Sequence, residues 1–291
     1  MLKASSITMS FRYIDSHVHF WDPARLNYAW LAEVPSIQTT HTPQRLDSEL
    51  GAARPERLVF VQADCDAAQS LDEVAWIEQL AEREARIGGI VAHARMDAGA
   101  ETLAHLDRLA QRPLVRGVRH LIQGEKESGF CVRPEFVTGV QALASRGLSF
   151  DLCCRSHQLP DVAELVRRCP EVSFVLDHAG KPPIAGGDLR AWEHDIGTVA
   201  ASPNVVCKVS GLVTEADHAT WTPPQLRPVV ERVRECFGPS RMLFGSDWPV
   251  VKLAGGYVRW LDVARELLSA LPAPDLDAVF HGNARRVYRL S

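Results

Sequence analysis

The sequence predicts an α/β fold, a single (β/α)8 barrel of the TIM type, on three observations. Short β-rich apolar runs recur eight times, at intervals of roughly thirty residues, the cadence of repeated βα units. Segments with helical apolar spacing separate them. The 291 residues are long for one small domain and suit one such barrel. A doubly wound sheet fits less well, because the count reaches eight.

In chain order the runs cover residues 13–18, 58–62, 89–94, 115–121, 148–154, 172–177, 205–209 and 242–246. Several, such as LVFVQ, VSFVLD and NVVCKV, are apolar on both faces, as parallel strands covered on both sides require. Between them lie LDEVAWIEQLAEREA, AETLAHLDRLAQ, RPEFVTGVQALASRG, LPDVAELVRRC and PPQLRPVVERVRECFG. In the first of these Leu71, Val74, Ala75, Ile77 and Leu80 recur at helical spacing. Two more helices are expected over 258–271 and 275–289. Residues 1–10 read as a frayed leader, with Met9 an alternative start, and 11–291 as the barrel domain. No linker or low-complexity tract interrupts it.

Composition excludes several classes of partner. With 46% apolar, 23% charged and 7% aromatic residues, the chain reads as a soluble globular protein. Thirty-two Lys and Arg stand against 36 Asp and Glu, a net charge of −4 without blocks of one sign. That balance offers no footprint for nucleic acid or an anionic membrane. No apolar stretch approaches a membrane span or a signal-peptide core. Seven cysteines, an odd number without a C-x-x-C pair, suit a reduced, cytoplasmic protein.

In such barrels chemistry gathers at the carboxyl ends of the strands. The first run ends Ile14-Asp15-Ser16-His17-Val18-His19. Residues two apart on a strand share a face, so His17 and His19 project together and suit one divalent cation. The sixth run ends Asp177-His178-Ala179-Gly180, and the eighth Ser246-Asp247-Trp248-Pro249. Each of these has an ordinary structural explanation alone: exposed histidines, a hydrogen-bonded histidine, a helix cap. Together, on one barrel mouth, they predict a site with Asp247 as metal ligand or general base.

Other strand ends supply candidate substrate contacts. Arg119 and His120 follow the fourth run, Arg155 and His157 the fifth, and Lys208 lies in the seventh. Gln62 and Asp64 close the second and suit hydroxyl groups. The first loop, 20–57, carries Trp21, Tyr28 and Trp30 over the mouth, and Trp221 is a candidate second wall. The expected substrate-binding set is Tyr28, Trp30, Arg119, His120, His157 and Lys208. Arg155 reads better as a structural ion-pair partner.

The segments IDSHVHFWDP, NYAWL, VRGVRHLIQ, VLDHAGKPP, VCKVSGLVTEA, MLFGSDWPV and HGNARRVYRL span almost the whole chain. They resemble the amidohydrolase superfamily, and within it the branch of sugar-lactone hydrolases and pyrone-dicarboxylate lactonases. The resemblance implies that His17, His19, His178 and Asp247 are metal-site or catalytic positions. Two departures narrow it. The fourth run ends Gly117-Val118-Arg119-His120, without the lysine that dinuclear members carbamylate. The fifth leads into Cys153-Cys154-Arg155-Ser156-His157, without the glutamate of the deaminase branch. At most one divalent cation is expected, zinc first, and the branch includes members that work without one.

The expected function is therefore opening of a small sugar lactone to its acid. A fuconolactone-like substrate is implied by resemblance alone. The alternative is a mononuclear metal-dependent decarboxylase of an aromatic or dienoic acid, served by Arg119, Arg155 and Lys208. A barrel that only binds a sugar acid is a third reading, disfavoured by Asp247 beside three histidines.

Overall fold

Eight parallel strands form one sheet in the order β1 to β8, each paired with its sequence neighbour, in a computed structural model that describes residues 11–52 and 54–291. The strands are β1 (Ile14–Val18), β2 (Arg57–Val61), β3 (Ile87–His93), β4 (Val115–Leu121), β5 (Ser149–Cys153), β6 (Phe174–Leu176), β7 (Val205–Val209) and β8 (Met242–Phe244). The helices are α1 (Pro43–Glu49), α2 (Ser70–Ala81), α3 (Ala100–Ala110), α4 (Pro134–Gln141), α5 (Leu159–Arg168), α6 (Arg190–Ala200), α7 (Pro223–Phe237), α8 (Tyr257–Leu268), α9 (Ala273–Asp277) and α10 (Asn283–Val287). This is the expected (β/α)8 barrel. The leader reading of 1–10 lies outside the described residues.

Local chemistry accounts for the helices. Helix α5 has a proline in its first turn, Asp161 near its start and Arg167 and Arg168 in its last turn, all matched to the helix dipole. Its apolar stripe buries Leu159, Val162, Leu165 and Val166. At the start of α7, Gln225 Oε1 accepts the backbone N–H of Thr222 at 2.8 Å. The expected helix over 275–289 is divided. A wider turn at Ala278–Gly282 joins α9 to α10.

The runs at 172–177 and 242–246 give strands of only three residues, Phe174–Leu176 and Met242–Phe244. Their polar ends leave the sheet because the backbone turns left-handed at His178 (φ 53°) and Asp247 (φ 61°). The barrel consequently closes beyond β8. Val18 and Trp248 form a parallel bridge, His19 N donates to Trp248 O (2.7 Å), and Asp247 N donates to His17 O (2.8 Å). The seam sets Asp247 directly beside the His17–His19 pair.

The barrel interior divides by depth. Ile14, Val59, Val61, Val91, Val175 and Leu243 form an apolar layer, closed from the strand starts by Tyr288 and Leu290. Both Ile14 and His17 face this interior, although they stand three positions apart, an odd spacing that regular alternation would send to opposite faces. An extra residue in β1 makes that possible, seen as a register shift between Asp15 and Val18. Above the apolar layer lies a buried polar one. Lys208 Nζ meets Asp151 Oδ2 (2.6 Å) and Asp177 Oδ1 (3.0 Å), while Arg119 Nη1 meets Asp177 Oδ2 (3.0 Å). Tyr288 donates its hydroxyl to Asp151 Oδ2 at 2.7 Å. Two cations matched to two carboxylates let strands four to seven carry charge in a sealed core.

No helix of the described residues is long and apolar enough to cross a membrane. All seven cysteines are unpaired, and six are buried.

Candidate active site

His17, His19, His178 and Asp247 converge at the carboxyl ends of β1, β6 and β8. The Nε2 atoms of His17 and His19 lie 3.2 Å apart. Asp247 Oδ1 is 3.3 Å from His19 Nε2 and 3.7 Å from His17 Nε2. Ligand atoms of His17, His178 and Asp247 all fall within 4.8 Å of one another. All four residues are buried, yet His19, His178 and Asp247 line a cavity of about 220 Å³.

Hydrogen bonds behind the rings orient them. His19 Nδ1 lies 2.7 Å from the Val61 carbonyl, which only accepts, so Nδ1 carries the proton and Nε2 turns its lone pair to the site. His178 Nδ1 is bonded to Ser210 Oγ at 2.9 Å. His17 Nδ1 points away from the site, 3.3 Å from Asp177 Oδ1 and 3.2 Å from Lys208 Nζ. The Lys208 ammonium only donates, so His17 Nδ1 accepts from it and the His17 proton sits on Nε2, aimed at the Nε2 lone pair of His19 3.2 Å away.

Charge states agree. Burial holds the His17 imidazole well below the usual histidine range and His178 down to about 4, so both are neutral ligands at pH 7. Burial works to raise Asp247, but His178, His19 and His17 outweigh it and keep the carboxyl well below the usual range. Three imidazoles and one carboxylate are a donor set that fits one divalent cation. Asp177, although sealed, is held ionised by Lys208, His17 and Arg119.

Small residues make room for this cluster. Gly211, at φ 59°, passes so close to His178 that an added Cβ would sit 2.4 Å from Nδ1. Gly211→Ala is expected to displace the His178 ring, break its bond to Ser210 and lower kcat/KM roughly a hundredfold. An initial-rate assay beside a melting curve tests this. Wild-type activity in the folded variant would contradict it.

Of the other expected contacts, Trp30 and Arg119 line the cavity. Trp30 is pinned by Nε1–H donating to Ala63 O at 2.9 Å, and Arg119 by Asp177 and by Gln62 O at 2.6 Å. The remaining four are placed elsewhere, which corrects the substrate-contact expectation for each. Lys208 is wholly buried beneath His17, because two core carboxylates claim its ammonium. His120 turns outward from β4, bonding Met96 N (3.3 Å) and Glu125 Oε1 (3.0 Å) and packing against Phe136. His157 is exposed in the turn before α5, and Tyr28 is buried under the first loop beside Glu73. Asp64, Gln123, Cys153 and Lys181 also line the cavity. Asp64 was already legible at the end of the second run as a hydroxyl contact; of the other three, Lys181 was the most accessible to sequence reasoning, three residues beyond His178 at the end of the same run.

Comparison with known proteins agrees with this geometry. The amidohydrolase family model matches residues 14–290. An L-fucono-1,5-lactonase of Burkholderia ambifaria is 34% identical over 289 residues, covering 97% of each chain. One from Burkholderia multivorans is 35% identical over 292 residues, covering 95% of this chain and 96% of its own. Among solved structures, an amidohydrolase from Burkholderia multivorans with bound zinc is 34% identical, with a TM-score of 0.86 over 97% of this chain and 100% of that one. On its sequence, its barrel and these matches, the chain belongs to the amidohydrolase family.

Proposed function

We propose that this protein hydrolyses a small sugar lactone, of the L-fucono-1,5-lactone type, to the open sugar acid. The observation that carries the reading is an ionised carboxylate, Asp247, ringed by three imidazoles in a cavity of about 220 Å³. Relatives that match nearly the full chain and are named lactonases support the choice of substrate. A six-membered sugar ring is commensurate with that cavity.

Asp247 takes a proton from the attacking water and returns it to the departing ring oxygen. The ring nitrogens of His17, His19 and His178 converge on the place where the carbonyl oxygen gathers charge as the tetrahedral intermediate forms. His17, His19, His178 and Asp247 would hold one zinc ion, which supplies positive charge for that oxygen and acidifies water. Lys208 and Asp177 together hold His17 in place at Nδ1, and Trp30 offers an aromatic wall to the ring.

The decarboxylase reading needs free cations around an acidic substrate. Arg155 is exposed and Lys208 is sealed in the core, while Arg119 already serves Asp177 and the Gln62 carbonyl, which leaves Lys181 as the single uncommitted cation of the cavity where two or more are needed. The site therefore favours the lactone.

The direct test is a panel of aldonolactones followed by acid release, with carbon dioxide measured in parallel. Acid without carbon dioxide is expected, and carbon dioxide from an aromatic acid would overturn the proposal. Zinc added to metal-stripped protein is expected to raise the melting temperature, since saturation at a hundredfold excess over Kd is worth about 2.7 kcal/mol. No shift would remove the metal from the site. Activity that survives complete chelation, with metal content measured on the same sample, assigns carbonyl polarisation to the protein's own side chains, Arg119 among them.

A further inference from the structure

Six non-glycine residues adopt positive φ among the described residues: Asp64, His178, Ala179, Lys181, Asp247 and Arg289. All but Arg289 stand at strand ends around the cavity. Left-handed backbone is unfavourable for a residue with a side chain and persists where the fold must aim a group. His178 and Asp247 already have such a task. Asp64 and Lys181 share the geometry and line the same cavity, but have no part in the imidazole cluster.

Their side chains are also the uncommitted charges of that cavity. Arg119 is held by Asp177 and Gln62, and Asp247 by the histidines. The Lys181 ammonium has only Glu215 nearby, at 3.6 Å, beyond hydrogen-bond distance. Burial disfavours its charge, but Cys153, Glu215 and Asp247 outweigh this and keep it protonated. No hydrogen bond ties the Asp64 carboxylate, although its own N–H is fixed by Gln62 Oε1 at 2.6 Å. Asp64 follows β2 and Lys181 follows β6, four strands apart in an eight-stranded barrel and so on opposite sides of the mouth. Lys181 stands on the His178 side, within the electrostatic reach of Asp247.

We propose that Lys181 and Asp64 form a two-ended clamp for the lactone ring, Lys181 binding oxygen at the ester end and Asp64 accepting hydrogen bonds from ring hydroxyls at the far end. This deepens the lactonase reading and rests on it. An ammonium at the ester end adds charge-assisted hydrogen bonding whatever the rest of the ring carries. A carboxylate at the far end rewards hydroxyl groups and repels a second carboxylate, so the clamp selects neutral polyhydroxylated lactones over acidic ones.

The test compares kcat/KM for a polyhydroxylated δ-lactone and for unsubstituted δ-valerolactone in wild type, Asp64→Ala, Asp64→Asn, Lys181→Met and Lys181→Arg. Removing Asp64 is expected to lower the polyhydroxylated-to-plain ratio roughly tenfold or more, chiefly through KM. Lys181→Met is expected to lower both substrates alike by about tenfold to a hundredfold, with Lys181→Arg recovering part of the loss. Melting curves identify variants that fold, and the conservative partner of each pair carries the comparison if the other does not. An unchanged ratio in the Asp64 variants, or a Lys181→Met enzyme equal to wild type, overturns the clamp while the lactonase reading stands. A wild type idle on both lactones removes that reading and the clamp with it.

Discussion

Asp247→Asn is expected to abolish lactone hydrolysis, lowering kcat by roughly a thousandfold or more, while leaving the fold intact. The substitution suits the site unusually well. Asparagine tolerates the left-handed backbone found at Asp247, where φ is 61°. It also retains the two main-chain bonds that matter here, Asp247 N to His17 O (2.8 Å) and Val251 N to Asp247 O (2.9 Å). What disappears is the charge. An amide has no basicity to take a proton from water, and its nitrogen is no ligand for a cation. Alanine would confound the result by adding backbone strain. The measurements are initial rates on the best lactone together with thermal melting. A folded variant with near-wild-type kcat would show that another group is the base.

Lys208→Met carries the largest expected effect on stability. Lys208 is sealed between Asp151 and Asp177, with the Tyr288 ring 5.3 Å from its ammonium. Methionine fills much of the same space but leaves a carboxylate pair short of a counter-charge, which costs roughly 3–5 kcal/mol. For a chain of this size that corresponds to a fall in melting temperature on the order of 10 °C. The deficit depends on pH in a defined direction. Burial already pushes Asp151 up to about 6 with Lys208 present, and removing the lysine raises it further. An acid raised above its unfolded value destabilises the fold when ionised, so the penalty is full at alkaline pH and shrinks as Asp151 takes a proton. The gap between wild type and variant should therefore narrow from pH 8 to pH 5. A gap that widened on acidification would mean that Asp151 is not the group left exposed. Activity should fall as well, since Lys208 and Asp177 meet behind His17.

The Lys208 result bears on how far a single sequence can be read. A lysine inside an apolar run at the seventh strand looks like a positive charge offered to substrate. Only the register of β5, β6 and β7 shows that Asp151 and Asp177 turn into the same layer and claim it first. His120 gives the opposite case. It stands next to Arg119, yet strand alternation sends one side chain inward and the other towards α4. Tyr28 and Trp30 are divided in the same way by the path of the first loop.

What the amino-acid sequence determined by itself was whatever depends on period and on local order. Eight apolar runs with helical segments between them specify a (β/α)8 barrel, because parallel strands and amphipathic helices leave their spacing in the chain. The convergence of His17, His19, His178 and Asp247 follows from the same source, since each ends a run and run ends share one face of the barrel. Tertiary structure alone decided which polar groups face each other and which face solvent. The extra residue in β1 that turns His17 inward, the seam that seats Asp247 against it, and the left-handed turns at Asp64 and Lys181 are long-range or conformational facts. They depend on packing between strands far apart in sequence, where a half-turn of one side chain separates a substrate contact from a buried counter-ion.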